Sequence, residues 1–314
     1  MMTVLLLSIF LAAPPTPDRF ERLPVRVASL GACVAGEWLY VYGGHCGKTH
    51  TYSTSDVTGR FFRVKLSGGA WEELPSGPIA QGTALVADGN TVIRVGGMQP
   101  RNESGTPADN HSLTSVERYD PTTKKWQALP GMPAGRSSHD AVIHEGKLYV
   151  VGGWCMQGRG KPSFWHKELY VLDLRAAKLT WKTLPQPFQR RALSAAVVAG
   201  KWYVAGGLDA SGQPSRRVEV YDFASAKWSC APELPGDDRL GFSPQLCAVA
   251  ERLVVSTLDG KVHVLDKDGW QYVKKQEVRR MVHRLVPGGG KRFLVVGGFS
   301  SLQDAQRVEE IELP

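Results

Sequence analysis

The sequence predicts an all-β protein built from repeats of about fifty residues, a period typical of solenoids and propellers. Three observations predict this: a recurring pair of glycines, a short apolar run before each pair, and a tryptophan late in most repeats. The last of the four intervals between the pairs is close to two ordinary ones, so we expect a degenerate copy within it, at Arg252 to Gly260. The pairs follow one another by 53, 56, 54 and 91 residues, at Gly43-Gly44, Gly96-Gly97, Gly152-Gly153, Gly206-Gly207 and Gly297-Gly298.

Each repeat is expected to form four antiparallel strands. In the third repeat, the apolar runs 141–143 and 148–151 flank a glycine-containing turn, which predicts a β-hairpin. A third strand is predicted at 169–173, and a fourth, which begins with tryptophan, at 181–185. Glycine suits a strand end that needs positive φ or a close backbone approach. Tryptophan suits an outer strand that fills the wedge between neighbouring repeats.

The order of glycine pair, spaced tyrosine and spaced tryptophan resembles the kelch repeat, from residue 19 to the C-terminus. Two departures occur: the fifth repeat lacks the glycine pair, and repeats one, three and five have Leu66, Leu172 and Leu265 in the tyrosine column. The resemblance implies an all-β, six-bladed propeller whose four-stranded antiparallel blades surround a central channel. The blades are expected near 26–77, 79–131, 134–186, 190–235, 239–275 and 279–314.

The sixth repeat ends without a fourth strand, and the N-terminus offers a replacement. Residues 19–24 have the pattern of the Trp-x-x-Leu-Pro strands, with Phe20 in place of tryptophan. We therefore expect the N-terminal strand to complete the last blade and close the ring, which removes free sheet edges. Residues 18–314 then form a single kelch propeller domain, because no linker or shift in composition divides them.

Residues 1–17 are expected to be a signal peptide with a proline-rich leader. The apolar run 4–13 is too short to span a membrane comfortably and has the length of a secretory h-region. No Lys or Arg precedes it, and Pro14 and Pro15 lie at the expected cleavage point, so a misassigned start or a membrane-resting N-terminus is the alternative. We expect a bacterial, exported protein, periplasmic or extracellular, without a membrane span and monomeric.

The five cysteines are an odd number, so at least one thiol stays unpaired after export. Cys33 and Cys247 fall on first strands and are predicted to be small buried residues. A disulfide between Cys46 and Cys155 would have to cross the channel mouth, so we do not expect it. The sequence does not assign any other pairing.

The formal net charge of +8 and the pI near 9.2 favour acidic partners through long-range attraction. The alternative is a basic surface that is merely solvated, since no run of five Lys or Arg occurs. Nucleic acid is not an expected partner, because the sequence has no basic–aromatic recognition motif.

In kelch proteins, the links between blades and the loops after the glycine pairs face one rim of the ring. Arginines at such positions predict a ligand site at an Arg-lined channel mouth, because guanidinium groups bind carboxylates and phosphates through paired hydrogen bonds. Animal kelch adaptors use arginines at similar positions to bind acidic peptides. The alternative is that the arginines brace loops through backbone carbonyls or aspartates, and that the aromatic side chains pack on their own blade. The candidate ligand-binding residues are Arg26, Arg136, Arg191, Arg239, Arg280, His45, Trp154 and Trp165.

Catalytic and metal-binding motifs are not found in the sequence. Gly-x-Ser-x-Gly and Walker-type loops do not occur, and the copper-site pattern of galactose oxidase cannot be placed. His45, Cys46 and His50 lie close together, but their spacing is not that of a known metal site. We therefore predict no cofactor, no metal and no catalytic residue.

The leading hypothesis is a non-catalytic kelch-propeller binding module that holds an acidic protein segment or an anionic glycan at the channel mouth. The alternative is a carbohydrate-active isomerase, because bacterial N-acetylneuraminate epimerase is similar in fold, size, compartment and cationic mouth. Such a sialic-acid mutarotase would need a general acid or base, for which Glu168, Asp209 and Asp238 are the candidates. A third hypothesis is a structural subunit whose ring edge binds a larger assembly.

Overall fold

The chain folds into six small antiparallel sheets arranged in a ring, in a computed structural model that describes residues 18–300 and 304–314. The signal peptide predicted at residues 1–17 lies outside the described residues. The first strands of successive blades contact one another around the whole ring, so that the first blade also contacts the sixth. The fold is therefore the predicted six-bladed β-propeller.

Each of the first five blades has a ladder of four strands that pair in chain order from the channel outward, and blades two and three carry additional short strands. Blade one comprises β1 (Gly31–Ala35), β2 (Trp38–His45), β3 (Val57–Lys65) and β4 (Glu72–Leu74). Blade two comprises β5 (Ala84–Asp88), β6 (Thr91–Val95), the small hairpin β7 (Met98–Pro100) and β8 (Asn110–Ser112), β9 (Val116–Asp120) and β10 (Lys125–Leu129). Blade three comprises β11 (Ser137–His144), β12 (Lys147–Cys155), β13 (Phe164–Trp165), β14 (Glu168–Asp173) and β15 (Trp181–Pro185).

The second half of the ring is more regular, with shorter loops. Blade four comprises β16 (Ser194–Val198), β17 (Lys201–Ala205), β18 (Val218–Asp222) and β19 (Lys227–Ala231). A short 3-10 helix (Asp238–Gly241) leads into blade five, which comprises β20 (Gln245–Val249), β21 (Arg252–Ser256), β22 (Lys261–Asp266) and β23 (Gly269–Lys275). Blade six has three strands, β24 (Arg284–Gly289), β25 (Arg292–Val296) and β26 (Glu309–Glu312).

The hydrophobic core is divided into six clusters, one at each contact between neighbouring blades. Between blades two and three, for example, Val86 and Ile93 pack with Val150 and Leu172. Burial of each such side chain contributes about 1.5–3 kcal/mol. Because these clusters hold the blades together, the loops at the face of the ring can carry other functions.

The tryptophan of the fourth strand ties each blade to the one before it, as its predicted place in the wedge requires. Its indole Nε1–H donates to the carbonyl of a proline that follows or ends the previous blade's fourth strand. In blades two to five the donor–acceptor distances are 2.9, 2.9, 3.4 and 3.0 Å, for Trp126 to Pro75, Trp181 to Pro130, Trp228 to Pro185 and Trp270 to Pro232.

The N-terminal segment replaces the missing partner at the closure of the ring. Trp71 of blade one donates to the carbonyl of Glu21 at 2.8 Å. Phe20 is buried in the cluster between blades six and one, and its backbone bridges Gly69 of blade one. The segment therefore seals the wedge where a fourth strand of blade six was expected.

The segment runs antiparallel to β26 without forming a regular strand. The Leu23 N–H donates to the carbonyl of Gln306 at 2.9 Å, and Arg19 forms an ion pair with Glu310. Within the described residues, however, the ladder of blade six contains only β24, β25 and β26. The predicted position is confirmed, whereas the predicted strand ladder is replaced by these few contacts and by the pairing with blade one.

The glycine pairs end the second strands, where the next blade comes close. Gly96 has a φ of 54°, and a Cβ atom there would lie 2.4 Å from the carbonyl oxygen of Arg136 in the following blade. In blade five, Ser256 pairs with Gln245 and stands where the residue before the glycine pair lies in other blades, so Thr257 and Leu258 take the place of the two glycines. The Ser256 hydroxyl oxygen lies 2.7 Å from Nε2 of His283 in blade six. The degenerate fifth repeat thus forms a complete blade without the glycine pair.

All five cysteines lie in the described part of the chain and are free thiols. Cys33 and Cys247 are buried, as predicted, and burial raises the pKa of Cys247 to about 12. Across residues 18–300 and 304–314, no helix is long and apolar enough to cross a membrane.

Candidate functional site

A cavity of about 1470 Å³ opens on one face of the ring. It is lined by the links that enter each blade and by residues that follow the glycine pairs, which confirms that these two sets of loops share one rim. Its size exceeds the roughly 300–1,000 Å³ of typical small-molecule pockets. The cavity is therefore the principal candidate site of this chain.

The floor of the cavity is an ion pair that crosses the channel. Arg284 of blade six and Asp140 of blade three lie at equivalent first-strand positions in opposite blades, each paired with the residue just before the glycine pair of its own blade. Nη1 of Arg284 lies 3.3 Å from both carboxylate oxygens of Asp140. The same guanidinium donates to the carbonyls of Leu30 in blade one, at 3.1 Å, and Thr83 in blade two, at 3.2 Å. These bonds satisfy Arg284 and close the channel below the cavity.

A collar of backbone hydrogen bonds runs around this floor from blade six through blade one to blade four. It consists of link residues with positive φ, beginning at Val282, and the N–H of each later residue donates to the carbonyl of the one before it at 2.7–2.9 Å. Val282 is the most unusual member, because a β-branched residue rarely adopts its φ of 48°. The collar residues are Val282, Ser29, Gly82, Ser138 and Ala192. They fix which neighbouring link residue faces the cavity and which points into the blade.

Arg136 points into blade three, contrary to the expectation that it lines the mouth. It is fully buried, and it donates to the carbonyls of Val150 at 3.3 Å and Glu168 at 2.8 Å. Its guanidinium lies 4.1 Å from the ring centroid of Tyr170, and burial lowers its pKa to about 10. The reason is register: this link position lies two residues before the collar residue, where the side chain turns inward.

Arg280 occupies the equivalent position in blade six and is also buried, so its expected place at the mouth is corrected too. Its Nη1 donates to the carbonyls of Gly297, Ala305 and Arg307 at 3.0–3.2 Å. Arg190 is the third member of this buried set and forms an ion pair with the buried Glu219. The alternative that arginines brace the loops holds for these three side chains.

Two further candidates lie outside the cavity. Arg239 is exposed in the 3-10 helix, and its Nη2 lies 2.9 Å from Asp237 Oδ2. Trp165 packs against Trp154, with ring centroids 5.3 Å apart, and is not part of the cavity lining. Asp238, one of the candidate acids, forms an ion pair with Arg216 at 3.2 Å.

Arg191 is the link residue that faces the cavity in blade four. Its guanidinium lies 4.2 Å from the ring centroid of Trp154, which follows the glycine pair of blade three. Its Nε is buried without a hydrogen-bond partner, and no carboxylate of residues 18–300 or 304–314 forms an ion pair with it. Burial lowers the pKa of Arg191. A half-buried cation without a counterion therefore lies in the wall of the cavity.

Arg26 lines the opposite side of the mouth. Its guanidinium lies 5.9 Å from the ring centroid of Phe299, which follows the glycine pair of blade six. Nη2 donates to the Ser300 carbonyl at 2.7 Å. This contact leaves the other nitrogens of the guanidinium available to a ligand.

One wall of the cavity comes from blades one and two, whose long loops are joined. The Asn102 side chain donates to the carbonyl of Tyr52 at 2.8 Å, and the Thr54 N–H donates to the carbonyl of Asn102 at 3.0 Å. His45 lies at the base of this wall, as expected for a mouth residue, with Nε2 2.7 Å from the Thr51 carbonyl oxygen.

The charge of the lining is mainly positive. Four cations, Arg26, Lys48, Arg191 and Arg284, line the cavity, and Asp56 is the one carboxylate among the described lining residues. Because Asp140 neutralises Arg284, the three remaining cations outnumber the single carboxylate. A hydrogen bond from Ser53 lowers the pKa of Asp56, so this group stays ionised at neutral pH.

Metal binding by side chains has no support in the geometry. Within the described ranges, no group of three or more His, Cys, Asp or Glu side chains is arranged to hold a metal ion. His45 and Cys46 accordingly belong to the cavity wall.

Reading the sequence placed Arg136 and Arg280 at the mouth by mistake, because these link residues lie two positions before the collar residue and not one. Arg190 and Arg191 are neighbours in the same link, and their positions relative to the collar residue Ala192 determine which of them faces the cavity. The floor pair Arg284 and Asp140 was missed because first-strand residues were read as buried core. The residue directly before each glycine pair could have located Arg284 and Asp140, since each of these two residues pairs with it in its own blade.

Comparisons with known proteins agree with this architecture. The Kelch motif matches residues 81–133, 135–187 and 189–235. Kelch-like protein 35 of Mus musculus is 27% identical over 256 residues, which cover 80% of this chain and 37% of that protein. Kelch-like protein 33 of Homo sapiens is 32% identical over 161 residues, which cover 50% of this chain and 26% of that protein.

A third relative is named as an enzyme. N-(sulfonatooxy)prop-2-enimidothioate sulfolyase of Thlaspi arvense is 26% identical over 243 residues, which cover 66% of this chain and 63% of that protein. The chain therefore spans less than two thirds of the length of each of these three relatives.

Among solved structures, that of YjhT matches with a TM-score of 0.73 and 14% identity, over 93% of this chain and 99% of that one. At this identity the match concerns the fold alone. With the repeated glycine pairs, the six blades and these matches, the chain belongs to the kelch-repeat β-propellers.

Proposed function

We propose that the protein is a non-catalytic binding module that holds an anionic ligand, an acidic protein segment or an anionic glycan, in the cavity. The observation that carries this proposal is the guanidinium of Arg191, which is half-buried and has no ion-pair partner in the described part of the chain. Buried arginines elsewhere in the ring are matched by carbonyls or carboxylates.

The physical reason is the cost of leaving a charge partly desolvated. A carboxylate bound to Arg191 would form charge-assisted hydrogen bonds, each worth about 1.5–3 kcal/mol. The guanidinium already packs against Trp154, 4.2 Å from the ring centroid, so less side-chain freedom is lost on binding. The excess of cations over carboxylates in the lining adds long-range attraction for the same class of ligand.

The relatives support this proposal in a limited way. Two of them are named for the kelch repeat, and kelch propellers commonly mediate protein interaction. The name of the Thlaspi arvense relative describes a substrate with a sulfonatooxy group, which is anionic. The carboxylates, phosphates or sulfates of a ligand would all suit the guanidinium geometry.

The test compares Arg191→Gln with Arg239→Gln, which removes the same charge from an exposed, paired arginine outside the cavity. The probes are a glutamate-rich peptide and a sialylated oligosaccharide, measured by calorimetry. We expect Arg191→Gln to weaken binding of the better probe by about 10- to 100-fold, and Arg239→Gln to change it by less than about twofold. Raised salt should mimic the loss only in part, because the site is half-buried. Equal effects of the two variants would overturn the proposal.

The second candidate is an enzyme that acts on an anionic sugar, as a mutarotase does. The sulfolyase relative favours it, since that relative is named as an enzyme for a molecule with an anionic group. Against it, Asp56 is the one carboxylate in the described lining, and its lowered pKa makes it a poor proton donor. An NMR assay of anomerisation with N-acetylneuraminate separates the two: acceleration by the wild type and not by Arg191→Gln would establish the enzyme.

Export remains part of the proposal, together with a monomeric state and a bacterial source. The proposal of export depends on residues 1–17, which the structure does not describe. Terminal sequencing of the protein recovered from the periplasm or medium checks it, and recovery of the intact N-terminus in the cytoplasm would contradict it. Sedimentation analysis checks the oligomeric state.

A further inference from the structure

We infer that the protein has a second ligand site, at the end of the ring opposite to the cavity, which binds one neutral sugar unit of an oligosaccharide. The site is a pocket of about 320 Å³ between blades one and two. It is lined by the turns that join β1 to β2, β5 to β6 and β9 to β10. Because β2 begins at Trp38 in this pocket and ends at His45 in the cavity, the two sites lie at opposite ends of the ring and share no lining residue.

The pocket has the size and the mixed lining of a small-molecule site. Its volume lies at the lower end of the roughly 300–1,000 Å³ of such sites, so it suits one unit of a larger ligand. Trp38, Tyr40 and Pro121 supply apolar surface, and Glu37 and Asn90 supply polar groups. An aromatic ring beside a few hydrogen-bonding groups is the combination that binds a sugar, whose ring carries apolar C–H groups as well as hydroxyls.

Trp38 is the residue that distinguishes this junction from the others. It is the first residue of the second strand, and none of the other five blades has an aromatic residue at that position. Propeller packing therefore does not require an indole here. The equivalent residues are small or basic: Thr91, Lys147, Lys201, Arg252 and Arg292.

The indole of Trp38 is also available to a ligand. The side chain is half-buried in the lining of the pocket. Its N–H forms no hydrogen bond with the residues that the structure describes, whereas fourth-strand indoles such as Trp126 and Trp181 donate to carbonyls. The pocket therefore offers a free donor at the edge of its aromatic ring.

Polar groups without protein partners lie beside the indole. Glu37 and Asn90 are exposed, and their side chains form neither a hydrogen bond nor an ion pair within the described ranges. Asn90 of blade two lies against blade one, because a Cβ at Gly36, whose φ is 56°, would be 3.1 Å from Asn90 Oδ1. The carboxylate and the amide oxygen accept hydrogen bonds, and the amide nitrogen donates them. Sugar hydroxyls, which both donate and accept, match this set.

The charges around the pocket disfavour a charged ligand. Glu72 binds Arg63, the one cation of the lining, with Nη2 2.7 Å from Oε2. A cationic ligand would meet Arg63 and Lys65, whose charged groups lie 4.0 and 5.6 Å from the ring centroid of Trp38. An anionic ligand would meet the unpaired carboxylate of Glu37. A neutral, polyhydroxylated ligand avoids both repulsions.

The experiment uses the full chain with isotope-labelled tryptophan, whose indole N–H signals are followed by NMR during titration. The probes are the methyl glycosides of glucose, galactose, mannose and N-acetylglucosamine. We expect at least one glycoside to shift the Trp38 signal in a saturable way and to leave the signals of Trp154 and Trp165, at the cavity end, unchanged. The Trp38 signal is assigned by its absence from the Trp38→Lys variant.

Variants measured through the signals of the bound glycoside test the residues of the pocket. Trp38→Lys gives blade one the residue type that blades three and four have at this position, so it should fold, and it should weaken binding by about 10-fold or more. Asn90→Ala should weaken binding by about 3- to 10-fold through lost hydrogen bonds. Lys201→Ala changes the equivalent exposed position of blade four, outside the lining, and should have no effect.

Three results would overturn the inference. The first is the lack of a saturable shift of Trp38 with any of the four glycosides. The second is tighter binding of methyl glucuronide, an anion, or of methyl glucosaminide, a cation, than of the neutral glucoside. The third is an equal effect of Trp38→Lys and Lys201→Ala, which would place the ligand outside this pocket.

Discussion

Arg190 and Arg191 are adjacent in the chain, and they belong to two different regions of the molecule. Arg190 lies inside blade four, where it forms an ion pair with the buried Glu219. Arg191 lies in the cavity wall over Trp154, without an ion pair to any residue that the structure describes. The same side chain therefore stabilises the fold in one region and offers a charge to a ligand in the other.

The largest expected effect tests the first half of this comparison. Arg190→Met should lower the free energy of unfolding by about 3–5 kcal/mol, because Glu219 stays buried with only the exposed Arg217 near it. Arg191→Met should change it by less than about 1 kcal/mol, since no buried partner loses its bond. Urea denaturation of both variants checks this, and equal losses would break the distinction between the two regions.

The pH dependence of stability tests another set of buried side chains, three histidines, of which His139 and His283 border the cavity. Burial lowers the pKa of His166 and His283 from 6.5 to about 3, and lowers that of His139 well below 6.5. The unfolded chain therefore binds more protons than the folded one as pH falls below 6.5, so the stability is complete above that pH and is lost on acidification. Each histidine should contribute about 1.4 kcal/mol per pH unit to the slope.

Denaturation curves across this pH range measure that slope. A matched His283→Gln variant should give a shallower curve, by the share of one histidine, even if it is less stable at neutral pH. A wild-type free energy of unfolding that stays constant from neutral pH down to about pH 5 would contradict the buried, neutral state of these histidines.

The floor of the cavity is expected to couple opposite blades. Asp140→Asn and Arg284→Met, combined in a double-mutant cycle, should show a coupling free energy of about 1–3 kcal/mol, because the two mostly buried groups contact each other directly. Additive effects of the two changes would mean that the pair does not hold the channel closed.

The smallest expected effect concerns closure of the ring. Trp71→Phe removes the hydrogen bond to Glu21 and should cost about 1 kcal/mol. Trp126→Phe removes the equivalent bond to Pro75 between blades one and two, and serves as the control. If Trp71→Phe had no effect while its control did, the N-terminal segment would not seal the ring in solution.

The blades were predictable because their signals are local and repeated. The glycine pairs occur where the next blade's backbone comes within 3 Å of a hypothetical Cβ, as at Gly96, so no other residue fits easily. The tryptophans occur where one indole both fills a wedge and donates across it, as with Trp181 and Pro130. Five glycine pairs and five such tryptophans identify the fold without information on distant contacts.

The site was only partly predictable, because its residues are selected by register and by contacts between distant blades. Arg26, Arg191, His45 and Trp154 line the cavity, but Arg136 and Arg280 do not. A shift of one residue at a link moves a side chain from the cavity into the blade. The amino-acid composition of the link does not reveal which residue takes which position. The N-terminal segment was placed correctly because the residues around Phe20 have the local pattern of a fourth strand. The pairing of Phe20 with Gly69 could not be predicted in this way, because it depends on the position of blade one.

The most direct test of the unpaired cation is crystallographic. Crystals of the protein soaked in sodium selenate, and of the Arg191→Gln variant treated in the same way, can be compared by anomalous scattering from selenium. The account predicts a selenate ion in the cavity beside Arg191 of the wild type, with none beside Arg190 and none in the cavity of the variant. Selenate bound at the outer surface alone, or equally in the cavity of both proteins, would contradict it.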